Sequence, residues 1–284
     1  FAFLSLILVV VRGLYFLPIT NPAELPDRKI NTSILGVIPQ LTESEENVLI
    51  NEDERFNQSI ESTIVNINNL LEDKTDGKAK TILITSPTAA NGKSFIARNL
   101  VRKLTKVNKK VLLIDLDMKR GDQHKVLDTK KITKEEFLSL DSTNIEKIKY
   151  SEGYYFIPKI TKLTSSFQFL YSPQFENKIN LLKEIFDVIV LDTAPLLSVS
   201  DSSILMAYSD LNIAMVRHGI TKINEIKQLR SIAQQVGIDI DGFIYNGYER
   251  PSSYYGYYQL YGNYEYQYYA KKYLYSSYDY DSKD

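Results

Sequence analysis

The chain has 284 residues, a formal net charge of −1, no cysteine, no tryptophan, two histidines and 21 tyrosines. That length accommodates one large α/β domain with appendages. The missing cysteines exclude disulfides and thiolate metal sites. The balanced charge lacks the basic excess of a nucleic-acid binder, so no nucleic-acid partner is expected.

From Phe1 to Val11 the sequence is apolar, and Arg12 and Tyr15 follow. The run is shorter than the roughly 20 residues that a spanning helix needs. It also lacks the basic start and small-residue cleavage site of a signal peptide. The expectation is the end of a transmembrane helix over 1–17, begun upstream, with Arg12 on the cytoplasmic side; an apolar element of a soluble core is the competing reading. Pro18, Pro22, Pro26 and Pro39 predict an extended linker within 18–50.

A domain is expected over 51–246. It opens on a helix at 51–72, with Asn51 as its cap and Glu54 completing a capping box. Phe56, Ile60, Ile64, Ile67 and Leu71 fall on one stripe at helical spacing. That stripe predicts a core-facing side, with a partner-helix role as the alternative. Strands are then predicted at Thr81–Thr85, Val111–Ile114, Tyr155–Ile157, Val188–Leu191, Ile213–Val216 and Phe243–Tyr245. Helices are predicted at Lys93–Lys106, Pro173–Phe186, Ser202–Tyr208 and Lys222–Val236, with a small one over Asp141–Tyr150. The alternation specifies an α/β fold with a doubly wound, mostly parallel sheet of the P-loop NTPase kind.

Between the first buried strand and the first long helix lies Ser86-Pro-Thr-Ala-Ala-Asn-Gly-Lys-Ser94. Its right half has the form of a Walker A loop. Gly92 lets backbone amides approach a phosphate, and a helix N-terminus adds partial positive charge. Lys93 reaches the terminal phosphates and the Ser94 hydroxyl holds Mg²⁺. Thr88, Ala89, Ala90, Asn91, Gly92, Lys93, Ser94 and the following Phe95 are the expected nucleotide-binding run, and Pro87 replaces the leading glycine. Two strand ends carry carboxylates, Asp115-Leu-Asp117-Met-Lys119-Arg120 and Asp192-Thr-Ala-Pro195. Ligands of open α/β sheets bind at such carboxyl ends, and a hard cation takes carboxylate oxygens. The expected cofactors are therefore ATP and Mg²⁺.

These elements resemble the Walker A, A′ and B motifs of the bacterial tyrosine kinases, the cytoplasmic kinase domains of capsule and exopolysaccharide co-polymerases. Leu35-Gly-Val-Ile-Pro39 is similar to the juxtamembrane segment of that family. Asp115 to Arg120 is similar to its Asp-x-Asp-x-Arg signature, with Lys119 in the arginine's place and Arg120 beside it. The family's second loop proline is Ala89 here. Its assembly helix carries a Glu and two Arg; Glu61 and Asn69 fit that helix, while Ile64 and Ile67 stand where the arginines belong.

The resemblance implies a tyrosine autokinase in the bacterial inner membrane with its kinase domain in the cytoplasm. Ser94, Asp115 and Asp192 would hold Mg²⁺. Lys93 with Lys119 or Arg120 would neutralise the transferring phosphoryl, and Asp117 or Asp115 would accept the phenol proton. Related ATPases place an Asn such as Asn246 near the adenine, with Arg217 at the neighbouring strand end. The implied partners are other copies of the chain in a ring, a cognate tyrosine phosphatase and the polysaccharide export machinery. His124 and His218 are expected at the surface.

Over 247–284 the aliphatic residues nearly vanish, and disorder is expected. Tyr254, Tyr255, Tyr257, Tyr258, Tyr261, Tyr264, Tyr266, Tyr268, Tyr269, Tyr273, Tyr275, Tyr278 and Tyr280 are the implied phosphoacceptors. Two other classes compete. One is a partitioning-type ATPase, which carries a signature lysine where Pro87 stands. The other is a non-catalytic export scaffold, which has no need of Lys93 and the aspartates.

Overall fold

Short apolar runs rich in Ile, Leu and Val, each followed by an amphipathic helix, bury both faces of their strands only as a parallel sheet covered by helices on each side. The computed structural model describes residues 17–22, 25, 33–41, 53–72, 79–107 and 109–249. Strand β1 spans Ser33–Pro39 and helix α1 Glu54–Glu72. The central unit is β2 (Lys80–Thr85), α2 (Lys93–Leu104) and β3 (Val111–Leu116). Short elements follow: α3 (Gln123–Val126), β4 (Ile132–Thr133), α4 (Lys134–Ser139), β5 (Lys149–Ser151), β6 (Tyr154–Ile157), β7 (Ile160–Thr161) and α5 (Ser166–Leu170). The chain continues through α6 (Pro173–Ile185), β8 (Val188–Thr193), α7 (Asp201–Met206), β9 (Leu211–Arg217), α8 (Ile223–Gln235) and β10 (Gly242–Tyr248).

Among the described residues the main sheet has eight strands in the order β1-β10-β9-β2-β8-β3-β6-β5. Every pair is parallel except β5 with β6. Side chains alternate between two apolar layers, as a strand requires. Ile82, Ile84 and Leu113 pack with Ile96 and Leu100 of α2 on one face. Leu83, Leu112 and Ile114 pack with Phe175 and Leu182 of α6 on the other. Each fully buried side chain of this size contributes about 1.5–3 kcal/mol.

The predicted fold class holds, and each predicted strand and long helix is found within a few residues of its expected limits. Three expectations change. The stretch expected as an extended linker is built into the domain: β1 lies parallel to β10, and Ile19 and Leu25 are buried. Extended backbone with apolar residues at 35 and 38 finds a partner at an open sheet edge, and an edge tolerates the terminal Pro39. Second, the small helix expected over Asp141–Tyr150 is a single 3₁₀ turn, Ile145–Ile148, running into β5. Glu152 and Gly153 (φ 70°) close a β5–β6 hairpin there, and that turn claims the backbone a longer helix would use. Third, α1 starts at Glu54, and Asp53 accepts the capping bond from the Phe56 amide at 2.9 Å; Asn51 lies outside the described residues.

The α1 stripe is the expected core face. Phe56, Ile60, Ile67 and Leu71 are buried, joined by Thr63, while Ile64 is half-buried against them. Ile67 stands at an expected arginine position of the resembling family, and here it belongs to the core. Glu61 is committed within the chain, to Lys103 of α2 at 2.6 Å. The apolar run 1–11 and the tyrosines of 254–280 lie outside the described residues, and no described helix is long and apolar enough to cross a membrane.

Candidate active site

The site is built where three adjacent strands end together. In the parallel register Ile84 of β2 lies opposite Asp192 of β8, and Asp192 lies opposite Asp115 of β3. The two carboxylates are therefore neighbours at one level of the sheet, directly below the loop that leaves β2. Both are buried.

The loop is held by its own polar side chains and by three distant segments. The Ser86 hydroxyl donates to the Thr88 carbonyl (2.6 Å), and Asn91 donates to the same oxygen (2.7 Å). Leu196 N donates to Ser86 O at 2.8 Å, tying the loop to the turn after Asp192. The Thr221 hydroxyl donates to Asn91 Oδ1 (2.6 Å), and Asn246 Nδ2 donates to the Asn91 carbonyl (3.1 Å). Ala90 (φ 65°) and Gly92 (φ 85°) both take left-handed backbone conformations. Such alternation gathers successive amides into an anion-binding concavity. Gly92 is required twice over: besides its φ, a β-carbon there would lie 2.1 Å from Asn246 Nδ2. Lys93 begins α2, whose first amides have no intrahelical partner and point at the same place.

Lys93 is 8 % exposed. Burial lowers its pKa, and the charges of Asp192 and Asp117 oppose that shift. Burial likewise raises Asp192, and the nearby Ser94 hydroxyl and the charge of Lys93 oppose that shift. Asp115 is pushed up to about 8, first by burial and then by the charge of Asp192. Two carboxylates forced together in a dry place favour a shared proton or a cation. Asp192 Oδ1 is buried without a hydrogen-bond partner, a lone pair left for such a cation. Among the described residues no three acidic or imidazole side chains form an ion-binding group by themselves. The donor set of Ser94, Asp115 and Asp192 suits a cation that completes its shell with phosphate oxygens and water, the habit of Mg²⁺.

Asp117 differs from its neighbours. It is half-buried, and its Oδ1 accepts from the amides of Lys119 (3.1 Å) and Arg120 (2.8 Å). It thereby folds the turn that carries both basic residues, whose side chains are exposed. The turn closes at Gly121, where a β-carbon would lie 2.5 Å from Asp115 Oδ1. A cleft of about 650 Å³ runs beside α2, past Gly92, Phe95, Arg98, Arg217 and Asn246. Phe95 is half-buried there with its ring on Phe56. Asn246 lies against the phosphate loop, its amide nitrogen donating to the Asn91 carbonyl. His218 is not the surface residue expected: it is half-buried, with Nδ1 2.9 Å from the Tyr245 hydroxyl. His124 is half-buried as well.

Sequence reasoning missed Gln123, Arg98 and Thr221. Gln123 is buried between the carboxylates, donating from its side chain to Asp192 Oδ2 (2.7 Å) and accepting from Arg98 Nη1 (2.8 Å). A lone amide, guanidinium or hydroxyl carries no sequence pattern: Gln123 opens α3 just past the turn at Gly121, and its site partners come from three other elements.

The AAA domain family matches residues 79–240. The tyrosine-protein kinase ptk of Acinetobacter johnsonii is 33% identical over 177 residues, 61% of this chain and 24% of that protein. The tyrosine-protein kinase CpsD of Streptococcus pneumoniae is 30% identical over 197 residues, 66% of this chain and 84% of that protein. The chain thus spans about a quarter of the Acinetobacter relative and most of the streptococcal one. The kinase domain of Escherichia coli tyrosine kinase ETK shares the fold, with a TM-score of 0.72 at 19% identity over 84% of this chain and 98% of that domain.

Proposed function

The chain belongs to the AAA domain family and to the bacterial tyrosine kinases, and on that premise we propose that it is an ATP-dependent autokinase that phosphorylates tyrosines of its own tail. One observation carries the reading: Asp115 and Asp192 stand in register on adjacent strands beneath a phosphate loop whose lysine is buried beside them.

Loop amides from Thr88 to Ser94 receive the phosphates, and Phe95, Arg217 and Asn246 line the cleft for the nucleoside. Lys93 brings positive charge to the transferring phosphoryl, the kind of preorganised contact that dominates such catalysis. Ser94, Asp115 and Asp192 are the residues to hold Mg²⁺, which when bound draws charge off the phosphate oxygens. Of the two candidate bases we assign Asp117. Asp115 is fully buried, beyond the reach of an incoming phenol, whereas Asp117 is half-exposed and keeps its Oδ2 outside the turn's own hydrogen bonds. A free tyrosine has a pKa near 10, so orienting the hydroxyl matters more than removing its proton beforehand. Lys119 and Arg120, exposed on the same turn, are placed to meet a phosphoryl or a substrate from outside.

The tyrosines of 254–280 are the proposed acceptors, offered in trans within a ring of identical chains. The domain division follows: a membrane-anchoring end over 1–17, a juxtamembrane stretch over 18–50 that lends β1 to the kinase sheet, the remainder of the kinase over 51–246 and the acceptor tail over 247–284. We place the protein at the bacterial inner membrane with its kinase domain in the cytoplasm, acting on capsular or exopolysaccharide polymerisation and export and reversed by a tyrosine phosphatase. The test is an anti-phosphotyrosine blot of the purified chain with and without Mg-ATP, beside Lys93→Met. Label that appears with ATP and is lost in the variant supports the reading; a wild-type chain that stays unlabelled defeats it.

A further inference from the structure

Besides its carbonyl, which accepts from the Leu127 amide at the end of α3, Gln123 makes three polar bonds, each to a residue of the carboxylate cluster or to Arg98. Its backbone amide donates to Asp115 Oδ2 (3.3 Å), its side-chain nitrogen donates to Asp192 Oδ2 (2.7 Å), and its side-chain oxygen accepts from Arg98 (2.8 Å). It is 1 % exposed. The amide has one sense only: turned over, its NH₂ would face a guanidinium and its oxygen a carboxylate. Asp192 is consequently held by Oδ2, and Oδ1 is the oxygen left buried and unpartnered.

Arg98 gives this arrangement its point. The charges of Asp192 and Asp115 both act on the Arg98 guanidinium. An arginine in direct contact with a carboxylate frequently takes both its oxygens in a bidentate pair, and Asp192 Oδ1 would then be engaged by a cationic side chain instead of standing open to a metal ion. Gln123 stands between them as a neutral spacer. It satisfies the guanidinium at one end and a single carboxylate oxygen at the other. A shorter side chain would leave a gap for Arg98 to cross, and a glutamate would add a third acid to the pair.

We propose that Gln123 is a positioning residue which keeps Arg98 off Asp192, so that the Asp115–Asp192 pair stays available to the divalent cation of the bound nucleotide. The proposal rests on the nucleotide-site reading above. Partners standing behind metal ligands typically carry 10–100-fold of metal affinity.

The test is calorimetric titration of the whole chain with ADP, with and without Mg²⁺, and needs no turnover. Gln123→Ala should bind ADP alone as the wild type does and lose about tenfold of the gain that Mg²⁺ brings. Adding Arg98→Ala should restore part of that gain, because the competitor for Asp192 is gone; a mere packing defect would not be mended by a second deletion. If the alanine variant does not fold, Gln123→Met, of similar volume and without the amide, takes its place with the same expectations. A Mg²⁺-dependent gain unchanged in these variants overturns the assignment, as does a loss equal with and without Mg²⁺. A wild-type chain with no Mg²⁺-dependent gain overturns the nucleotide-site reading, and this assignment with it.

Discussion

Charge at single residues decides what this site can do. Lys93→Met keeps the volume and removes the cation next to the transferring phosphoryl. A loss of roughly 3 kcal/mol, about a hundredfold in rate, is expected from one such contact, read as tail phosphotyrosine against time with the melting temperature as a folding control. The aspartates should separate by role. Asp115→Asn and Asp192→Asn weaken Mg²⁺-dependent ATP binding, since a neutral amide is a poor ligand for a hard cation. Asp117→Asn retains an oxygen for the amides of Lys119 and Arg120, so it should lower the phosphorylation rate while sparing ATP affinity. Equal loss of affinity in all three would remove Asp117 from the role of base. The raised Asp115 makes a pH prediction. Its folded pKa, about 8, lies above the 3.8 of an ordinary aspartate, so the folded state binds more protons between those values and its stability falls as pH rises through that window. Thermal melts without divalent cation should therefore drop between pH 6 and 8, and Asp115→Asn should flatten the drop. Lys93, Asp115 and Asp192 were legible in the sequence because they end or follow apolar strands at a phosphate-loop spacing. Gln123 and Thr221 were not, since their partners lie far along the chain and only tertiary packing brings them together.

At the scale of elements, hydrophobic period did most of the specifying. Buried strands such as Val111–Leu116 and amphipathic helices such as Pro173–Ile185 announce themselves by composition. What escaped was the partner of each extended stretch. Nothing in residues 33–39 says that β10 will present them an edge, and prolines nearby argued for a linker. The contact that seats α1 on β1 is equally silent. At Gly36 a β-carbon would fall 1.9 Å from the Thr63 hydroxyl oxygen, while Asn66 Nδ2 donates to the Leu35 carbonyl at 2.8 Å. Gly36→Ala should push helix from strand at a cost of about 1–3 kcal/mol, the range for overpacking, seen as a lower melting temperature. An unchanged melt would mean that α1 is free to shift. By contrast the exposed Glu61–Lys103 pair is worth at most about 1 kcal/mol, and Glu61→Gln should barely register in the same assay.

For the whole molecule the tail sets the terms. The chain divides into units at 1–248 and 249–284. After Asn246 there are four Lys or Arg and five Asp or Glu, a segment close to neutral until modified. Each phosphate adds about −1.5 to −2 charges at pH 7. Four or five phosphotyrosines would turn a neutral segment strongly anionic, and it would then meet Asp115, Asp117 and Asp192 of a neighbour as like charge. Unphosphorylated chains should assemble and phosphorylated ones fall to monomers. Sedimentation after phosphatase and after ATP reads this directly, and an unchanged sedimentation coefficient removes the switch while leaving the kinase. Since the arginine positions of the assembly helix are Ile64 and Ile67, with Ile67 in the core, any ring here must use contacts other than those arginines.

The ties that close the phosphate loop reach far along the polypeptide. Thr221 holds Asn91 across 130 positions and Asn246 holds it across 155. A polypeptide leaves the ribosome N-terminus first, at about 5–20 residues per second. The loop is therefore translated early and locked late, once β9 and β10 have been added to the sheet. During those seconds the Gly-Lys-Ser sequence exists without the cage that shapes it. Nucleotide would meet an unshaped loop until the sheet is nearly whole, so under the proposed function ATP binding would report that synthesis has passed β10.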